Sequence, residues 1–173
     1  VLVVNDSRVR NARLFGEKAT GGRVEILVLR PLTGGLWETL VSPGKRVPPG
    51  TRLFISSELE AEVLERTESG GRVVRFHCDA PLDDLLPRLG ETPLPPYIHD
   101  RTSDPERYQT VYADRPGSAA APTAGLHFTP ELMDAIRDRG ALFAGVTLHI
   151  GLDTFRPVKV DDLDAHVMHS EWF

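Results

Sequence analysis

The sequence predicts an α/β framework with an inserted antiparallel β-barrel. Between residues 13 and 78, short apolar runs alternate with Gly- and Pro-rich turns at the spacing of a small barrel or sandwich. After residue 80, helix signals alternate with a strand in the α/β manner, and the chain opens on the apolar, strand-like run Val1–Val4. With 173 residues, 40% of them apolar, the chain is long enough to bury a core.

Six strands are predicted in the first part of the chain. Residues that permit a reversal separate them, at Gly21-Gly22, Gly34-Gly35, Pro48–Gly50 and Ser69–Gly71. Val24, Ile26 and Val28 recur at every second position, which gives that strand one face to bury. The six predicted strands are Arg13–Lys18, Arg23–Leu29, Leu36–Val41, Thr51–Ile55, Leu59–Thr67 and Arg72–His77.

The second part of the chain carries helix signals. Short helices are predicted at Pro81–Leu89 and Pro105–Tyr112, and a clearer one at Thr129–Arg139, which has a capping Thr, a Pro in the first turn and Gly140 after its end. A strand follows at Ala141–Ile150. We therefore assign residues 1–12 and 91–173 to an α/β domain and residues 13–90 to a β-barrel domain.

Charge and composition exclude several classes of protein. The net charge of −5 argues against a wholly basic nucleic-acid binder, although residues 1–50 carry eight basic and four acidic side chains. No apolar run reaches the roughly 20 residues of a membrane helix, so no membrane association is expected. The single cysteine, Cys78, cannot form an internal disulfide, which favours a reducing cytoplasm. Both ends fall within apolar elements, so we expect the chain to be part of a longer protein.

Two stretches have residues suited to binding a nucleic acid. Asn5–Val9 follows the first strand, where α/β proteins place polar site residues, and Arg8 could grip a phosphate. Tyr97 and the run Arg107–Tyr112 combine aromatic and arginine side chains, which stack on unpaired bases, with Gln109, which could read a base edge. The structural alternatives are a solvated turn for the first stretch and half-buried tyrosines for the second.

Two further stretches have residues suited to acid–base chemistry. Ala119–Phe128 is a run of small residues before a helix start, and it ends near His127, a candidate acid or base. His149 follows the last strand, while His166, His169 and Glu171 lie close together in sequence. A tightly packed loop is the alternative for the first. A metal site is the alternative for the second, although His-x-x-His-x-Glu matches no familiar helical zinc spacing.

The amino-acid sequences of these segments, taken in order, resemble those of one family along essentially the whole chain. The matching segments are Val4–Val9, Pro93–Ile98, Arg107–Ala113, Ala121–Thr129, Thr147–His149 and Met168–Glu171. Together they resemble the S-adenosylmethionine:tRNA ribosyltransferase-isomerases of queuosine biosynthesis. The resemblance implies an α/β domain with an inserted β-barrel, in a chain that continues past both ends of this one.

The resemblance also implies a reaction and its substrates. The family moves the ribosyl group of S-adenosylmethionine, a co-substrate, onto 7-aminomethyl-7-deazaguanine at the tRNA wobble position. The product is epoxyqueuosine, and adenine and methionine are released. We expect a cytoplasmic monomer that binds the tRNA anticodon loop and needs no metal.

The chemistry of this reaction and the positions of the motifs suggest which residues act. His127 and His169 are the expected acid–base residues, with Glu171 beside His169. The expected substrate-binding residues are Asn5, Arg8, Tyr97, Arg107, Tyr108, Gln109, Thr123, Gly125 and His149.

Two rival classes stay open from the residues. A non-catalytic tRNA-binding module would use the barrel and the basic front to hold RNA. A metal-dependent hydrolase would be built on His149, His166, His169 and Glu171.

Overall fold

The computed structural model describes residues 1–68, 70–94, 104–151 and 164. Two compact units make up the chain. One contains Arg10–Pro93, and the other contains Val1–Val9 together with the described part of Leu94–Phe173. The domain limits proposed from the sequence stay a prediction.

The Arg10–Pro93 unit is a closed, six-stranded antiparallel barrel, as the sequence predicts. Its strands are β3 (Arg13–Lys18), β4 (Arg23–Pro31), β5 (Leu36–Ser42), β6 (Arg52–Ser56), β7 (Leu59–Arg66) and β8 (Arg72–His77). Around the barrel they follow the order β3-β4-β5-β8-β7-β6.

The alternating apolar residues of these strands form the barrel core. Val24, Ile26 and Val28 of β4 are all fully buried, which confirms the period-two pattern. Leu14 and Val63 from other strands join the same cluster. Burying a side chain of this size contributes about 1.5–3 kcal/mol, so the core accounts for much of the stability of the unit.

A short helix covers part of this core. Helix α1 (Leu82–Leu89) begins after Pro81 and ends before Gly90. Its Leu82, Leu85 and Leu86 are buried in the barrel cluster, at the i, i+3, i+4 spacing of one helix face.

Two short parallel sheets belong to the other unit. Strand β1 (Leu2–Asn5) pairs with β10 (Phe143–Val146), and β2 (Ser7–Val9) pairs with β9 (Arg115–Ser118). Helix α2 (Pro130–Asp138) begins where predicted, because the Thr129 hydroxyl accepts a hydrogen bond from the Leu132 N–H at 3.2 Å. Parallel strand pairs combined with a helix are typical of the α/β class, which places polar site residues at the carboxyl ends of its strands.

Two predicted elements are shorter than expected. The helix expected at Pro105–Tyr112 is one 3₁₀ turn, Pro105–Tyr108, because Gln109 is extended and its side chain binds the backbone of another strand. The strand expected over Ala141–Ile150 pairs only over Phe143–Val146. Among the described residues, no helix has both the length and the apolar character that crossing a membrane requires.

Candidate functional site

Polar side chains gather at the carboxyl ends of the parallel strands. Asn5 ends β1, and its amide makes two hydrogen bonds to the backbone of Leu148 beyond β10. Asn5 Nδ2 donates to the Leu148 carbonyl at 2.9 Å, and the Leu148 N–H donates to Asn5 Oδ1 at 3.0 Å. The side chain thus continues the pairing of the two strands after the strands themselves end, and fixes the chain just before His149.

Asp6 makes the next link across the same strand ends. The Thr147 hydroxyl donates to Asp6 Oδ1 at 2.7 Å. Gly145 provides the room, since a Cβ there would lie 2.9 Å from Asp6 Oδ2. The carboxylate is therefore held in a fixed position at the strand edge.

Ser118 ties the second sheet to the segment that contains His149. Its hydroxyl lies 2.9 Å from that of Ser7 and accepts a hydrogen bond from the Ile150 N–H at 2.8 Å. The Ala119 N–H donates to the Ile150 carbonyl, also at 2.8 Å. These bonds join β2, β9 and the chain after β10 into one polar edge.

The His149 ring packs directly on Gly117. An ideal Cβ at Gly117 would lie 2.4 Å from both Nδ1 and Cε1 of the imidazole, a distance that no side chain tolerates. Gly117 also has a φ of +154°, which L residues rarely adopt. The backbone therefore shapes a slot for this ring, with Nδ1 buried and the residue as a whole half-buried.

The small-residue run Ala119–Phe128 folds into a 3₁₀ turn at Thr123–His127. Gly125 is buried, and a Cβ there would lie 2.0 Å from the hydroxyl oxygen of Tyr112. The turn presents Thr123 and His127 to solvent. Packing and exposure thus alternate within one short motif.

Tyr112 packs against the Thr123–His127 turn and the residue that follows it. Its ring meets Phe128 edge to face with 6.2 Å between ring centroids, and burial raises the pKa of its hydroxyl. The neighbouring Thr110 is buried, and its hydroxyl has no hydrogen-bond partner within the described ranges. An unsatisfied buried hydroxyl costs about 1–3 kcal/mol. The methyl carbon of Thr110, Cγ2, is the atom that lies beside Gly125, 2.8 Å from where a Cβ would be.

The Arg107–Gln109 segment is held firmly against β2. Gln109 Oε1 accepts from the Val9 N–H at 3.0 Å, and Gln109 Nε2 donates to the Val9 carbonyl at 2.7 Å. Tyr108 is buried against Val9, whereas Arg107 is exposed and Arg8 forms an ion pair with Glu106. In this arrangement Gln109 is occupied by backbone groups, while Arg107 is the side chain open to a partner. The substrate-binding roles of these residues stay predictions.

Several predicted residues lie outside the described residues: Tyr97, His166, His169 and Glu171. Within the described part of the chain, no three His, Cys, Asp or Glu side chains are grouped as metal ligands. Of the four residues considered for a metal, only His149 is described.

Several members of the polar edge are not among the residues predicted from the sequence. Asp6 and Thr147 stood in segments already singled out, and their position directly after a strand was the available signal. Gly117 and Ser118 gave no such signal, because the Arg-Pro-Gly-Ser sequence of β9 does not resemble a strand.

The fold and this edge define an α/β protein with a polar site at the carboxyl ends of its parallel strands, together with a β-barrel. A family model described as "Queuosine biosynthesis protein" matches residues 1–173. The chain belongs to this family.

Relatives share more than half of their residues with the chain where the two align. The S-adenosylmethionine:tRNA ribosyltransferase-isomerase of Acetivibrio thermocellus is 54% identical over 174 residues, which cover 99% of this chain and 51% of the relative. The Moorella thermoacetica protein of the same name is 54% identical over 176 residues, covering 100% and 52%. The chain thus spans about half the length of the curated relatives it matches.

A solved structure also matches. The crystal structure of an S-adenosylmethionine tRNA ribosyltransferase from Thermotoga maritima is 34% identical, with a TM-score of 0.42. The match covers 86% of this chain and 40% of that one.

Proposed function

We propose that this chain is part of an S-adenosylmethionine:tRNA ribosyltransferase-isomerase. The complete protein would transfer the ribosyl group of S-adenosylmethionine to 7-aminomethyl-7-deazaguanine at the tRNA wobble position, forming epoxyqueuosine and releasing adenine and methionine. One observation carries the proposal: the family match extends over residues 1–173, with relatives of that name 54% identical along it. Such a protein would act in the cytoplasm, where its tRNA substrate is found.

The reaction requires proton transfers. The sulfonium of S-adenosylmethionine acidifies the adjacent 5′ carbon, so a base that removes this proton can start the rearrangement. Adenine must accept a proton as it leaves, and the attacking amine must lose one. A positioned acid or base contributes roughly 10²–10⁴-fold to such a step.

His127 is suited to one of these transfers. It ends the Thr123–His127 turn and is exposed, while buried Gly125 anchors the same turn against Tyr112. A rigid turn that presents a free imidazole places an acid or base without requiring the fold to move. His169, with Glu171 beside it, is proposed for a second transfer.

The polar strand edge is proposed to bind S-adenosylmethionine. Asn5 and His149 lie at this edge, and Thr123 and Gly125 lie in the turn. The buried Thr110 hydroxyl, which has no hydrogen-bond partner among the described residues, supports a ligand near the turn, because a bound polar group would satisfy it.

The proposed RNA contacts lie elsewhere in the same unit. Exposed Arg107 and partly exposed Arg8 would contact RNA phosphates, with Tyr97, Tyr108 and Gln109 near the modified base. The proposal includes a monomer that needs no metal.

Adenine release tests the proposal. The assay uses the chain extended to the full length of its relatives, S-adenosylmethionine, and tRNA that carries the aminomethyl-deazaguanine base; tRNA with guanine at that position is the control. Release that depends on the modified base supports the proposal. A folded full-length protein that binds this tRNA but releases no adenine would make a non-catalytic RNA-binding module the better account.

The role of His127 has its own matched control. His127→Ala is expected to lower kcat by roughly 10²–10⁴-fold while tRNA affinity stays within twofold. His77→Ala removes another exposed imidazole, from β8 of the barrel, and is expected to leave kcat unchanged. Normal turnover in His127→Ala would remove His127 from the mechanism.

A further inference from the structure

One end of the barrel carries a concentration of basic side chains. Strands β3, β5 and β7 all finish at this end, as the antiparallel registers require. Three connecting segments meet there: residues 17–23, 42–51 and 66–72. They contain six Lys and Arg side chains and two Glu, Glu17 and Glu68, both exposed. We call the set Lys18, Arg23, Lys45, Arg46, Arg66 and Arg72 the basic barrel end.

The basic barrel end is contiguous. Lys18 Nζ donates to the carbonyl of Arg46 at 3.4 Å, which joins the first segment to the second. Arg72 joins the second to the third, because its guanidinium donates to the carbonyls of Gly44 at 2.7 Å and Gly71 at 2.8 Å. Arg66 and Arg72 are register partners on β7 and β8. The charges therefore lie on one continuous surface.

Arg72 contributes a buried charge that forms no salt bridge with any carboxylate among the described residues. Only 4% of the residue is exposed, and its hydrogen bonds go to carbonyl oxygens, which include those of Val47 at 3.3 Å and Gly70 at 3.2 Å. Carbonyl dipoles solvate a guanidinium but do not cancel its net charge. Its positive field is therefore felt at this end of the barrel.

The exposed members of the set have no ion pairs. Lys45 and Arg46 are both exposed, and neither forms a salt bridge with a carboxylate in the described ranges. The same holds for Lys18, Arg23 and Arg66. Other arginines of this unit do form ion pairs, such as Arg30 with Glu38 at 2.8 Å and Arg88 with Glu58 at 2.7 Å. The basic barrel end therefore concentrates basic groups that have no salt bridge among the described residues.

The backbone at this end is open to a close approach. Gly21 and Gly70 stand in two of the three segments with positive φ, and apart from their chain neighbours no described residue has an atom within 4 Å of where a Cβ would be. A bulky polyanion can therefore reach the basic groups without displacing side chains.

We propose that the basic barrel end binds the sugar-phosphate backbone of RNA. This inference rests on the proposed function only in naming the polyanion as tRNA. Arginine and lysine without carboxylate partners recognise phosphates through charge rather than base sequence. The contact orients the RNA and carries no sequence preference of its own.

The test measures binding of an unmodified tRNA transcript to the full 173-residue chain by fluorescence anisotropy, across a range of salt concentrations and without S-adenosylmethionine. Lys45→Gln combined with Arg46→Gln removes two charges from the basic barrel end. The matched control, Arg75→Gln combined with Arg139→Gln, removes two exposed charges that lie outside the basic barrel end and, like Lys45 and Arg46, form no salt bridge among the described residues. Circular dichroism melting establishes that both variants fold.

The expected result is specific to the first variant. Losing two phosphate contacts raises Kd about 10- to 50-fold at 0.1 M salt and reduces the slope of log K against log salt by roughly 1.4–1.8. The control is expected to stay within twofold of the parent chain, with an unchanged slope. Equal weakening by both variants, no change in either, or no salt-dependent binding by the parent chain would overturn the proposal.

This outcome is separable from that of the proposed function. Binding of an unmodified transcript requires neither the modified base nor turnover. A full-length protein that released no adenine would leave the basic barrel end intact as an RNA-binding surface. Conversely, full turnover at saturating tRNA with no effect of the Lys45/Arg46 substitutions on binding would overturn only this inference.

Discussion

Substituting Gly117 tests whether the slot for the His149 ring is as tight as the structure shows. In Gly117→Ala the new methyl carbon would lie 2.4 Å from two ring atoms, well inside contact distance. Overpacking of this kind costs about 1–3 kcal/mol. The φ of +154° adds roughly 1 kcal/mol of backbone strain. We expect the unit to lose about 2–4 kcal/mol of stability.

A second glycine separates the two contributions. Gly140 has a φ of +84°, and apart from its chain neighbours no described residue has an atom within 4 Å of its Cβ position, so Gly140→Ala is expected to cost only the backbone part, roughly 1 kcal/mol. In a His149→Ala background the steric part disappears, and Gly117→Ala should then cost about as much as Gly140→Ala. The difference between the two backgrounds is an interaction energy of about 1–3 kcal/mol.

Native-state hydrogen exchange is the assay, because it reports each unit separately. The amides of Ala119 and Ile150, which bridge the two sheet ends, should exchange faster in Gly117→Ala, while β4 of the barrel stays protected. If Gly117→Ala costs the same with and without the His149 ring, the ring does not occupy this slot and the reasoning fails.

Three further predictions follow from single contacts. Arg72→Lys keeps the charge but cannot reach the same carbonyls, so the free energy of unfolding of the barrel in urea should fall by about 2–4 kcal/mol. Arg66→Lys, at an exposed residue, should change this free energy by less than about 0.5 kcal/mol. Equal effects of the two substitutions would contradict a structural role for the Arg72 hydrogen bonds. Burial raises the pKa of the Tyr112 hydroxyl above its usual 10.0, so the unfolded chain ionises at lower pH than the folded one. The stability that the neutral hydroxyl contributes below pH 10 is therefore lost as pH rises through the folded pKa. Tyr112→Phe should flatten the fall of the urea midpoint above pH 10, and an unchanged slope would count against this account. Gln109→Ala leaves both backbone groups of Val9 unpaired and should speed exchange of the Val9 amide, with a cost of about 2–4 kcal/mol; unaltered protection of that amide would exclude the double bond.

The barrel was predictable from the sequence because its signals are local. All six predicted strands are confirmed, with ends within two residues of those observed. The β3–β4, β4–β5 and β7–β8 hairpin turns carry glycines, whereas the β6–β7 turn at Ser57 and Glu58 does not, and the alternation of apolar residues shows which face of a strand is buried. The closing pair β3–β6 has no such local signal, yet a six-stranded sheet with alternating burial favours closure.

The sheet pairs of the other unit depend on distant residues. Strand β9, Arg115–Ser118, contains Pro and Gly and no large apolar residue, and it is a strand because β2 lies beside it. Ser7 and Ser118 meet across 111 positions of sequence, and Asp6 meets Thr147 across 141. A single sequence indicates that polar residues follow a strand, but it does not identify the partner that each one meets.

The Ala121–Thr129 motif shows why a long match is more specific than a catalytic residue alone. Two different physical demands act on it. Gly125 must lack a side chain because the Tyr112 hydroxyl occupies that space, and Thr129 must cap α2. Thr123 precedes Gly125, and His127 lies between Gly125 and Thr129. Both Thr123 and His127 are exposed, so core packing does not determine which residue stands at either position. Loss of function after Gly125→Ala should therefore accompany a loss of stability, whereas His127→Ala should leave stability unchanged. In such a motif the buried and capping residues fix the position of the exposed reactive residue, so a match to the whole motif predicts both the identity of the reactive side chain and its position.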